Sequence, residues 1–384
     1  MDNNDFSNER MGKTEWESNG MFYYFKPNEL PFNIEQNEKL ESLALRAAHA
    51  LGKIDNATKK CTPNEITLIQ MPFILKEATS SSQIEGTRST ISDVLKEEKV
   101  EEKNIELRLD NEEVRNYRDA MNYALNESPE QISEEFIKEI HRKLMKGVRG
   151  KDKNPGEYKI KQNAIGRRED NLDTAKFVPA SPQDTPYLMT NLVNYINNNK
   201  VNPIYKIAIV HYQFEAIHPF RDGNGRIGRL LMVLQLCREK LLSTPIIYLS
   251  EYLNRNRDDY VNLLFNASTK GEIENFIEFI LKGIIIQCNK SQKLLEDIEL
   301  YRREIKIKMR NKSKSYNMEH LIDFLIKNPF FTVEDIKEEL NISQPGAWQL
   351  VQKLKEEKIV IELEKETRKK LYCAHELLRL LEFE

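Results

Sequence analysis

Apolar residues recur at three- and four-residue steps through most of this chain, which is the spacing of helices that bury one face. Before residue 150 the pattern is clearest over 35–54, 64–82, 111–127 and 133–148. Ser133, followed by Glu135 and Phe136, is a typical helix start. The same spacing resumes after residue 182 and continues through a long stretch from 272 to about 312. The central part of the chain is therefore predicted to be helical.

Two regions depart from this spacing. Residues 149–182 contain glycine, proline and short β-like pieces, so we predict a loop or a small hairpin there. Residues 309–317 are basic and polar, as in a linker. Beyond them come three short helical patterns and an alternating stretch at 359–374 that predicts two strands. Three short helices followed by a β-hairpin are typical of a winged-helix domain.

Length and composition narrow the class of protein. The chain has 384 residues and a formal net charge of −3, so it has room for two or three domains and no overall basic field for nucleic acid. Its start is polar and acidic, unlike a secretory signal. The best apolar run is interrupted by Glu278 and Lys282. Four cysteines occur without metal-ligand spacing: Cys61, Cys237, Cys288 and Cys373. We therefore expect a cytoplasmic protein with reduced thiols, no zinc site and no membrane segment.

The densest polar chemistry lies at residues 218–229, HPFRDGNGRIGR, directly before an apolar helical run. The first N–H groups of a helix have no partner within it, and glycines let a ligand approach them closely. Such N–H groups and nearby cations form an anion site, for which phosphate is the commonest ligand. Arg226 and Arg229 share one helical face and suit two phosphoryl groups. Asp222 suits a Mg²⁺ that bridges phosphate oxygens, and His218 suits proton abstraction near neutral pH.

This stretch resembles the signature of the Fic family, HxFx(D/E)GNGRxxR, at every defined position. The matching residues are His218, Phe220, Asp222, Gly223, Asn224, Gly225, Arg226 and Arg229. Residues 155–166 and 175–189 are similar to the family's flap, and 248–264 are similar to the segment that closes over the base. Residues 21–32 are similar to its N-terminal extension. The likeness therefore covers roughly residues 20 to 290.

The resemblance implies a protein adenylyltransferase, which moves AMP from ATP to a serine, threonine or tyrosine hydroxyl of a protein target or of itself. It implies that His218 is the general base, that Asp222 holds Mg²⁺ and that Phe220 anchors the loop. Some relatives transfer phosphocholine or other nucleotidyl groups, but Asp222 and the intact arginines favour ATP. The implied ATP-binding residues are Glu85, Asp222, Gly223, Asn224, Gly225, Arg226, Ile227, Gly228 and Arg229, with Tyr252, Asn256 and Tyr260 on the adenine side.

A second motif lies far upstream, in the stretch TSSSQIEGT. The helical pattern fades near Ala78, and the serines and Gly86 suit a helix end, so a solvated Glu85 at a helix corner is one interpretation. The other interpretation rests on the resemblance, because Ser81, Glu85 and Gly86 fit the family's inhibitory motif, (S/T)xxxE(G/N). That motif implies that Glu85 occupies Arg229 and excludes the γ-phosphate.

The flap, expected at about 160–182, has a predicted role in docking a target. An extended segment of the target pairs with the edge of such a hairpin and brings its hydroxyl to the site. The expected docking residues are Lys176, Phe177, Val178 and Pro179. Ala164 stands where the family often has a larger side chain, so local target contacts are expected to differ. Two histidines on helical patterns, His141 and His211, are expected to be structural.

The predicted fold is mainly α: a Fic helical-bundle core with a β-hairpin flap, followed by a C-terminal winged-helix domain. The expected divisions are an N-terminal extension at 1–105 with the inhibitory motif at 79–87, a catalytic core at 106–290, a helix and linker at 291–315, and the winged helix at 316–384.

The winged-helix pattern supports a rival function, a DNA-binding regulator that uses the Fic core as a nucleotide sensor. Its recognition helix is expected to begin near Ser343, with Pro345 in the first turn. That helix has few cations, Lys353 and Lys355, and both lie late in it. The wing adds Lys365, Arg368, Lys369 and Lys370, which suit phosphate contacts. DNA binding is therefore less favoured than a protein partner or a homodimer contact.

Overall fold

The structure is a computed structural model that is mainly helical, as predicted. It describes residues 1–18, 20–35, 37–59, 61–147, 153–166, 171–198, 202–310, 316–363 and 370–382. Within these ranges a helical core carries a two-stranded sheet at its N-terminal end and a three-stranded sheet near its C-terminal end. No helix in the described ranges is long and apolar enough to cross a membrane.

An antiparallel hairpin, β1 (Gly12–Glu17) and β2 (Phe22–Pro27), precedes the first long helix. The helical spacing gave no indication of these strands. Phe25 is fully buried, and its N–H group donates to the carbonyl oxygen of Val178 at 2.8 Å. The hairpin therefore lies alongside the predicted flap, in keeping with the marginal stability of a hairpin on its own.

Five helices follow before the flap region. They are α1 (Glu38–Thr58), α2 (Pro63–Ile84), α3 (Ile91–Glu97), α4 (Ile105–Asn126) and α5 (Glu134–Leu144). The predicted start of α5 is confirmed, because the Ser133 hydroxyl accepts the N–H group of Phe136 at 3.1 Å. Thr62 and Glu65 form a capping box at the start of α2. Side-chain caps thus set where these helices begin.

The expectation that the α2 pattern fades near Ala78 is wrong, because the helix continues to Ile84. Ser81 lies inside the helix, is fully buried, and accepts a hydrogen bond from Arg229 Nε at 2.8 Å. Serine usually competes with the helix by bonding to nearby backbone. Here a partner from another helix satisfies the hydroxyl, so the tertiary contact outweighs the local preference. Glu85, rather than a serine, is the residue that caps the C-terminal end.

Six more helices complete the core: α6 (Thr185–Ile196), α7 (Pro203–Ile217), α8 (Asn224–Arg238), α9 (Leu249–Arg255), α10 (Arg257–Lys270) and α11 (Ile273–Arg310). α7 packs against α8, and both are buried along nearly their whole length. A helix that is buried on all sides belongs in the centre of a domain. The polar stretch 218–229 joins these two helices, so the core itself holds it in place. α11 confirms the long helix expected from residue 272 and packs against α1 and α10.

The C-terminal domain contains α12 (Tyr316–Lys327), β3 (Phe330–Phe331), α13 (Val333–Leu340), α14 (Gln344–Glu356), β4 (Ile361–Glu362), β5 (Tyr372–Cys373) and α15 (His375–Glu382). Its strands form an antiparallel sheet in the order β3-β5-β4. α14 begins where predicted, with Ser343 capping the N–H group of Gly346 at 3.3 Å. β3 and α15 were not predicted. Three wing cations, Lys365, Arg368 and Lys369, and linker residues 311–315 lie outside the described residues.

The C-terminal domain contacts the N-terminal helices directly. The buried Lys76 on α2 donates to the carbonyl oxygen of Leu381 on α15 at 2.7 Å. The N–H group of Ser92 donates to Glu382 Oε1 at 2.7 Å. The predicted boundary near residue 316 therefore separates elements that still pack against each other in the folded chain.

The packing of α11 leads to a stability prediction with a control on the same helix. Ile280 is fully buried, whereas Ile286 is 43% exposed. Ile280→Ala should lower the free energy of unfolding by about 2–5 kcal/mol, because it removes buried methyl groups and leaves a cavity. Ile286→Ala should change it by less than about 1 kcal/mol. Urea unfolding followed by circular dichroism measures both, and equal effects would contradict this account of the core.

Candidate active site

The polar stretch forms a tight turn between α7 and α8. His218 caps α7 in a left-handed conformation, with φ of 50° and ψ of 61°, and its N–H group donates to the carbonyl oxygen of Phe214 at 2.8 Å. A residue with a Cβ atom rarely adopts this conformation, since it costs about 1–2 kcal/mol. The turn is therefore held by its surroundings.

Asn224 ties the two ends of this turn together. Its Nδ2 donates to the carbonyl oxygen of Phe220 at 2.8 Å, and its Oδ1 accepts the N–H group of Phe220 at 2.8 Å. Phe220 is fully buried, which fits its expected role as an anchor. The side chain of Asn224 thus fixes the shape of the loop, while its backbone forms the first residue of α8.

His141, on α5, fixes the other side of the turn. Its Nδ1 accepts the N–H group of Gly156 at 2.8 Å, so its Nε2 is the protonated nitrogen and donates to the carbonyl oxygen of Asp222 at 2.9 Å. Its ring stacks on Phe220, with centroids 3.8 Å apart and planes 5° apart. Burial lowers the pKa of His141 to about 4. His141 is therefore neutral and structural, as predicted.

Gly223 shows why the signature needs glycine immediately before α8. Its φ is 76°, and a Cβ atom there would lie 2.9 Å from the sulfur of Met145 and 3.3 Å from Leu144. Any larger residue would strain the backbone and push against α5. The glycine thus lets the start of α8 approach α5 closely.

Arg229 is the most constrained side chain of the site. It is buried, and its Nε donates to the Ser81 hydroxyl at 2.8 Å while its Nη2 donates to the carbonyl oxygen of Ser81 at 2.9 Å. The same Nη2 donates to Glu85 Oε1 at 2.6 Å. Burial alone would lower the pKa of Arg229, but the charge of Glu85 raises it above its ordinary value. The upstream motif and the signature therefore meet, although they are 144 residues apart.

Gly225 provides the space for the contact between Glu85 and Arg229. A Cβ atom at this position would overlap Glu85 Oε1 and would lie 2.9 Å from Arg229 Nη1. Because the start of α8 has no side chain here, the carboxylate lies directly over it. A carboxylate at the N-terminus of a helix is in the position that a phosphate group would also favour.

The second signature arginine is held by a different helix. Arg226 is buried, and its Nη1 lies 3.2 Å from Oε2 of Glu113 on α4. Its Nη2 is 3.8 Å from Asp222 Oδ1. Arg226 and Arg229 start from one helical face, as predicted, but their guanidinium groups face carboxylates on two separate helices. The sequence did not predict this role for Glu113, because only the tertiary structure brings α4 next to Arg226.

His218 has a carboxylate partner that the sequence analysis missed. Its Nδ1 lies 3.4 Å from Oε2 of Glu215, a partly buried residue three positions earlier on α7. Burial alone would raise the pKa of Glu215, but the neighbouring His218 and His211 lower it overall. An ionised Glu215 next to Nδ1 orients the imidazole. The three-residue spacing on a helix was the available signal.

The residues expected on the adenine side lie on α9 and α10. Tyr252 is half-buried and packs on Phe279, with ring centroids 4.9 Å apart. Asn256 joins the two helices and donates from Nδ2 to the carbonyl oxygen of Tyr252 at 2.8 Å. Tyr260 is buried, and its hydroxyl lies 2.7 Å from Nε2 of His211. His211 is buried, as predicted, and the role of the three residues toward adenine stays a prediction.

In the flap region the described backbone forms one bridge, Ile165 with Phe177, rather than a longer hairpin. Phe177, Val178 and Pro179 are buried, whereas Lys176 is exposed and donates to Asn262 at 3.0 Å. Val178 already accepts a hydrogen bond from β2, as described above. Of the four expected docking residues, Lys176 is the one whose side chain reaches the surface. Their docking role stays a prediction.

Asp222 is half-exposed, with its Oδ2 3.8 Å from Lys153 Nζ. Its Oδ1 accepts the N–H group of Gly223 at 2.6 Å. In the described part of the chain no three histidine, cysteine or acidic side chains form a group that could hold a metal ion. A single open carboxylate fits Mg²⁺, which is usually held by one or two carboxylates together with substrate phosphates. Asp222 therefore fits a metal that arrives with a nucleotide.

Comparison with known families agrees with this geometry. Residues 131–236 match the model of the Fic/DOC family, and residues 42–126 match that of the Fic/DOC family N-terminal region. These two ranges are therefore similar to the Fic/DOC domain and to the N-terminal region that precedes it, and the two matches contain the two motifs that meet at Arg229.

The curated relatives that this chain matches are named protein adenylyltransferases. A probable protein adenylyltransferase of Aquifex aeolicus is 32% identical over 165 residues, which is 42% of this chain and 46% of the relative. Protein adenylyltransferase fic-1 of Caenorhabditis elegans is 29% identical over 161 residues, or 41% of this chain and 28% of the relative. The matches thus span less than half the length of either relative.

Solved structures show the same fold. A Fic family protein from Desulfovibrio desulfuricans aligns with a TM-score of 0.59 at 20% identity, over 90% of this chain and 98% of that one. Fic-1 from C. elegans aligns with a TM-score of 0.53 at 20% identity, over 67% of this chain and 74% of that one. The fold is therefore that of Fic proteins.

The buried His141 predicts how stability depends on pH. Its folded pKa of about 4 lies below its ordinary value of 6.5, so the unfolded chain binds more protons between these values. Stability should therefore fall as the pH falls through this window, by about 2 kcal/mol between pH 7 and pH 5 from this residue. His141→Gln should remove that part of the loss. Urea unfolding at the two pH values tests this, and equal losses in both proteins would contradict it.

Proposed function

We propose that this protein is an adenylyltransferase that moves AMP from ATP to a hydroxyl group of a protein target or of itself, and that Glu85 inhibits it within the same chain. The observation that carries the proposal is the buried guanidinium of Arg229, held by Glu85 and Ser81 one turn into α8. A cation fixed there suits a phosphate group, and the carboxylate stands in for that group. The names of the relatives support the same activity.

His218 is the proposed general base. With Nδ1 beside Glu215, its Nε2 remains to take the proton of a serine, threonine or tyrosine hydroxyl. The hydroxyl oxygen then attacks the α-phosphorus of ATP and forms the new P–O bond, while the bond to pyrophosphate breaks. Glu215 stabilises the imidazolium that results, because its pKa is lowered and it stays ionised.

The start of α8 is the proposed phosphate site. The backbone N–H groups of Asn224 and Gly225 and the helix dipole stabilise negative charge on the phosphoryl group as it transfers, whereas the N–H group of Gly223 donates to Asp222. Arg226 and Arg229 contribute fixed positive charge for the outer phosphates. Asp222 would hold Mg²⁺, which supplies positive charge that neutralises phosphate oxygens.

Inhibition follows from competition for one cation. Arg229 has a buried guanidinium whose outward nitrogen is occupied by Glu85 at 2.6 Å. The γ-phosphate of ATP requires the same nitrogen, and two anions close together repel each other. While Glu85 is in place, ATP is either excluded or held with its α-phosphate out of line for attack. The alternative of a solvated Glu85 does not explain this contact.

We interpret the C-terminal domain as a winged helix that binds protein rather than DNA. The cations of α14 lie at its end, and Lys355 is paired with Glu362. Trp348, on the same helix, is 52% exposed, which suits a protein contact better than a phosphate contact. The direct contact between α15 and α2 supports a role near the inhibitory helix.

If Glu85 inhibits the protein by occupying Arg229, removing its carboxylate should increase activity. Glu85→Gly should raise self-labelling and target labelling with labelled ATP by about tenfold or more, which corresponds to an inhibitory bias of about 1.4 kcal/mol or more. Glu85→Gln should give a smaller gain, because it keeps the shape and removes the charge. Labelling is followed by mass spectrometry of the modified peptides, and an AMP adduct identifies the reaction.

Arg229→Ala added to Glu85→Gly is the control for that experiment. It should abolish the gain, since the freed guanidinium is then missing. If folded wild type and Glu85→Gly label at equal rates, Glu85 is a helix-corner residue and the inhibitory proposal fails.

The general base is tested by a matched pair of histidine variants. In the Glu85→Gly background, His218→Ala should reduce transfer by about 10²–10⁴-fold while ATP still binds. His49→Ala should leave transfer unchanged, because His49 is exposed on α1, a helix that carries none of the proposed site residues. Calorimetry measures ATP binding and labelling measures transfer. Transfer by His218→Ala at the rate of its parent would show that another group takes the proton.

A further inference from the structure

Two side chains from the irregular segment 153–166, where the flap region begins, reach the turn that carries His218. The first is Lys159, whose Nζ donates to the carbonyl oxygen of Ile217 at 2.9 Å. Its backbone N–H group donates to the carbonyl oxygen of Pro219 at 2.8 Å. One residue thus holds the backbone on both sides of His218.

The second is Asn163, which lies four residues after Lys159 in the same irregular segment. Its Nδ2 donates to the carbonyl oxygen of His218 at 3.2 Å and to that of Phe220 at 2.9 Å. With the bonds from Lys159, four consecutive carbonyl groups, 217 to 220, are each held by a donor from these two residues. Backbone carbonyls in a loop are usually left to water or to local turns.

Burying the amine of Lys159 is energetically unfavourable, which indicates that its contact with the turn has a function beyond stabilising the fold. Lys159 is 4% exposed, and burial lowers its pKa well below the ordinary value. Its Nζ is bonded to two neutral oxygens in the described part of the chain, those of Ile217 and, at 3.0 Å, Asn163. A buried amine without a carboxylate partner is destabilising by itself. Methionine has a similar shape and would fill the same space without this cost.

The conformation of His218 explains what the contact achieves. His218 is left-handed, and a residue in that region is maintained only where the surrounding structure determines it. The donors from Lys159 and Asn163 orient the carbonyls on either side of it. A small rotation of this backbone would move the imidazole away from Glu215, which pairs with its Nδ1.

We propose that Lys159 and Asn163 are positioning residues, which hold the backbone at 217–220 and thereby keep the imidazole of His218 in the orientation required for proton transfer. The proposal rests on the proposed function of His218 as general base. Neither residue needs to contact ATP or the target, so their loss should affect the chemical step and spare nucleotide binding.

The test uses Lys159→Met in the Glu85→Gly background, with Lys161→Met as the matched control, since Lys161 is exposed two residues away. Lys159→Met should lower kcat by about 10–100-fold, because a small misplacement of a reacting group has effects of that size. The KM for ATP should change by less than about twofold. The melting temperature should stay the same or rise, because the buried amine is gone. Lys159→Arg, which keeps a donor, should recover part of kcat.

Asn163→Ala provides a second, independent variant. It should lower kcat in the same way and leave ATP binding intact. Unchanged kcat in both folded variants would overturn the proposal, as would an equal change in KM and kcat, which would indicate a role in binding.

A readout without turnover separates this proposal from the proposed function. The ¹³Cε1–Hε1 resonance of His218, measured by NMR across a pH series, should shift in Lys159→Met and stay in place in Lys161→Met. If Glu85→Gly labels nothing, the proposed function fails, and the resonance still decides whether Lys159 positions His218. An unchanged resonance in Lys159→Met overturns the positioning role.

Discussion

The hydrogen bonds of Arg229 are the constraint on which the site depends. A guanidinium buried at the head of α8 requires acceptors, because an unpaired charge in the interior is strongly destabilising. Ser81 supplies two of them and Glu85 supplies the third. The first pair joins α2 to α8. The third acceptor is a half-exposed carboxylate at the helix end, so it is the contact that an anionic ligand can replace. One arginine thus serves the packing and, in the proposed function, the regulation as well.

The turn that carries His218 depends on a second set of constraints, which act through the backbone. Lys159 and Asn163 hold the carbonyls from 217 to 220, and His141 holds that of Asp222. These donors come from α5 and the segment that follows it, so the turn is braced from one side by elements that carry no reacting group. The result is a loop whose shape is set before any substrate arrives, which is how a site avoids reorganisation during reaction. The proposed positioning role therefore belongs to the irregular segment 153–166, where the flap region begins.

Much of the arrangement of the candidate site was predictable because its residues are close together in the sequence. The residues from His218 to Arg229 are contiguous, and glycine, aspartate and arginine at the head of a helix indicate a phosphate site by their own properties. The helices of the core were predictable from their spacing, and Ser133 and Ser343 marked their starts. The strands β1 and β2 were missed, because their burial depends on the flap they pack against. The end of α2 was misplaced, because a distant arginine satisfies Ser81.

The sequence by itself determined which groups are present, where most helices run, and that the polar stretch precedes a buried helix. These follow from spacing and from side-chain chemistry within a few residues. Only the tertiary structure decided that Arg226 faces Glu113, that His141 is neutral, and that Lys159 reaches the turn of His218. Each of these depends on residues that are tens of positions apart or more. Burial and hydrogen bonding between such residues arise when the helices pack, and no local pattern encodes them.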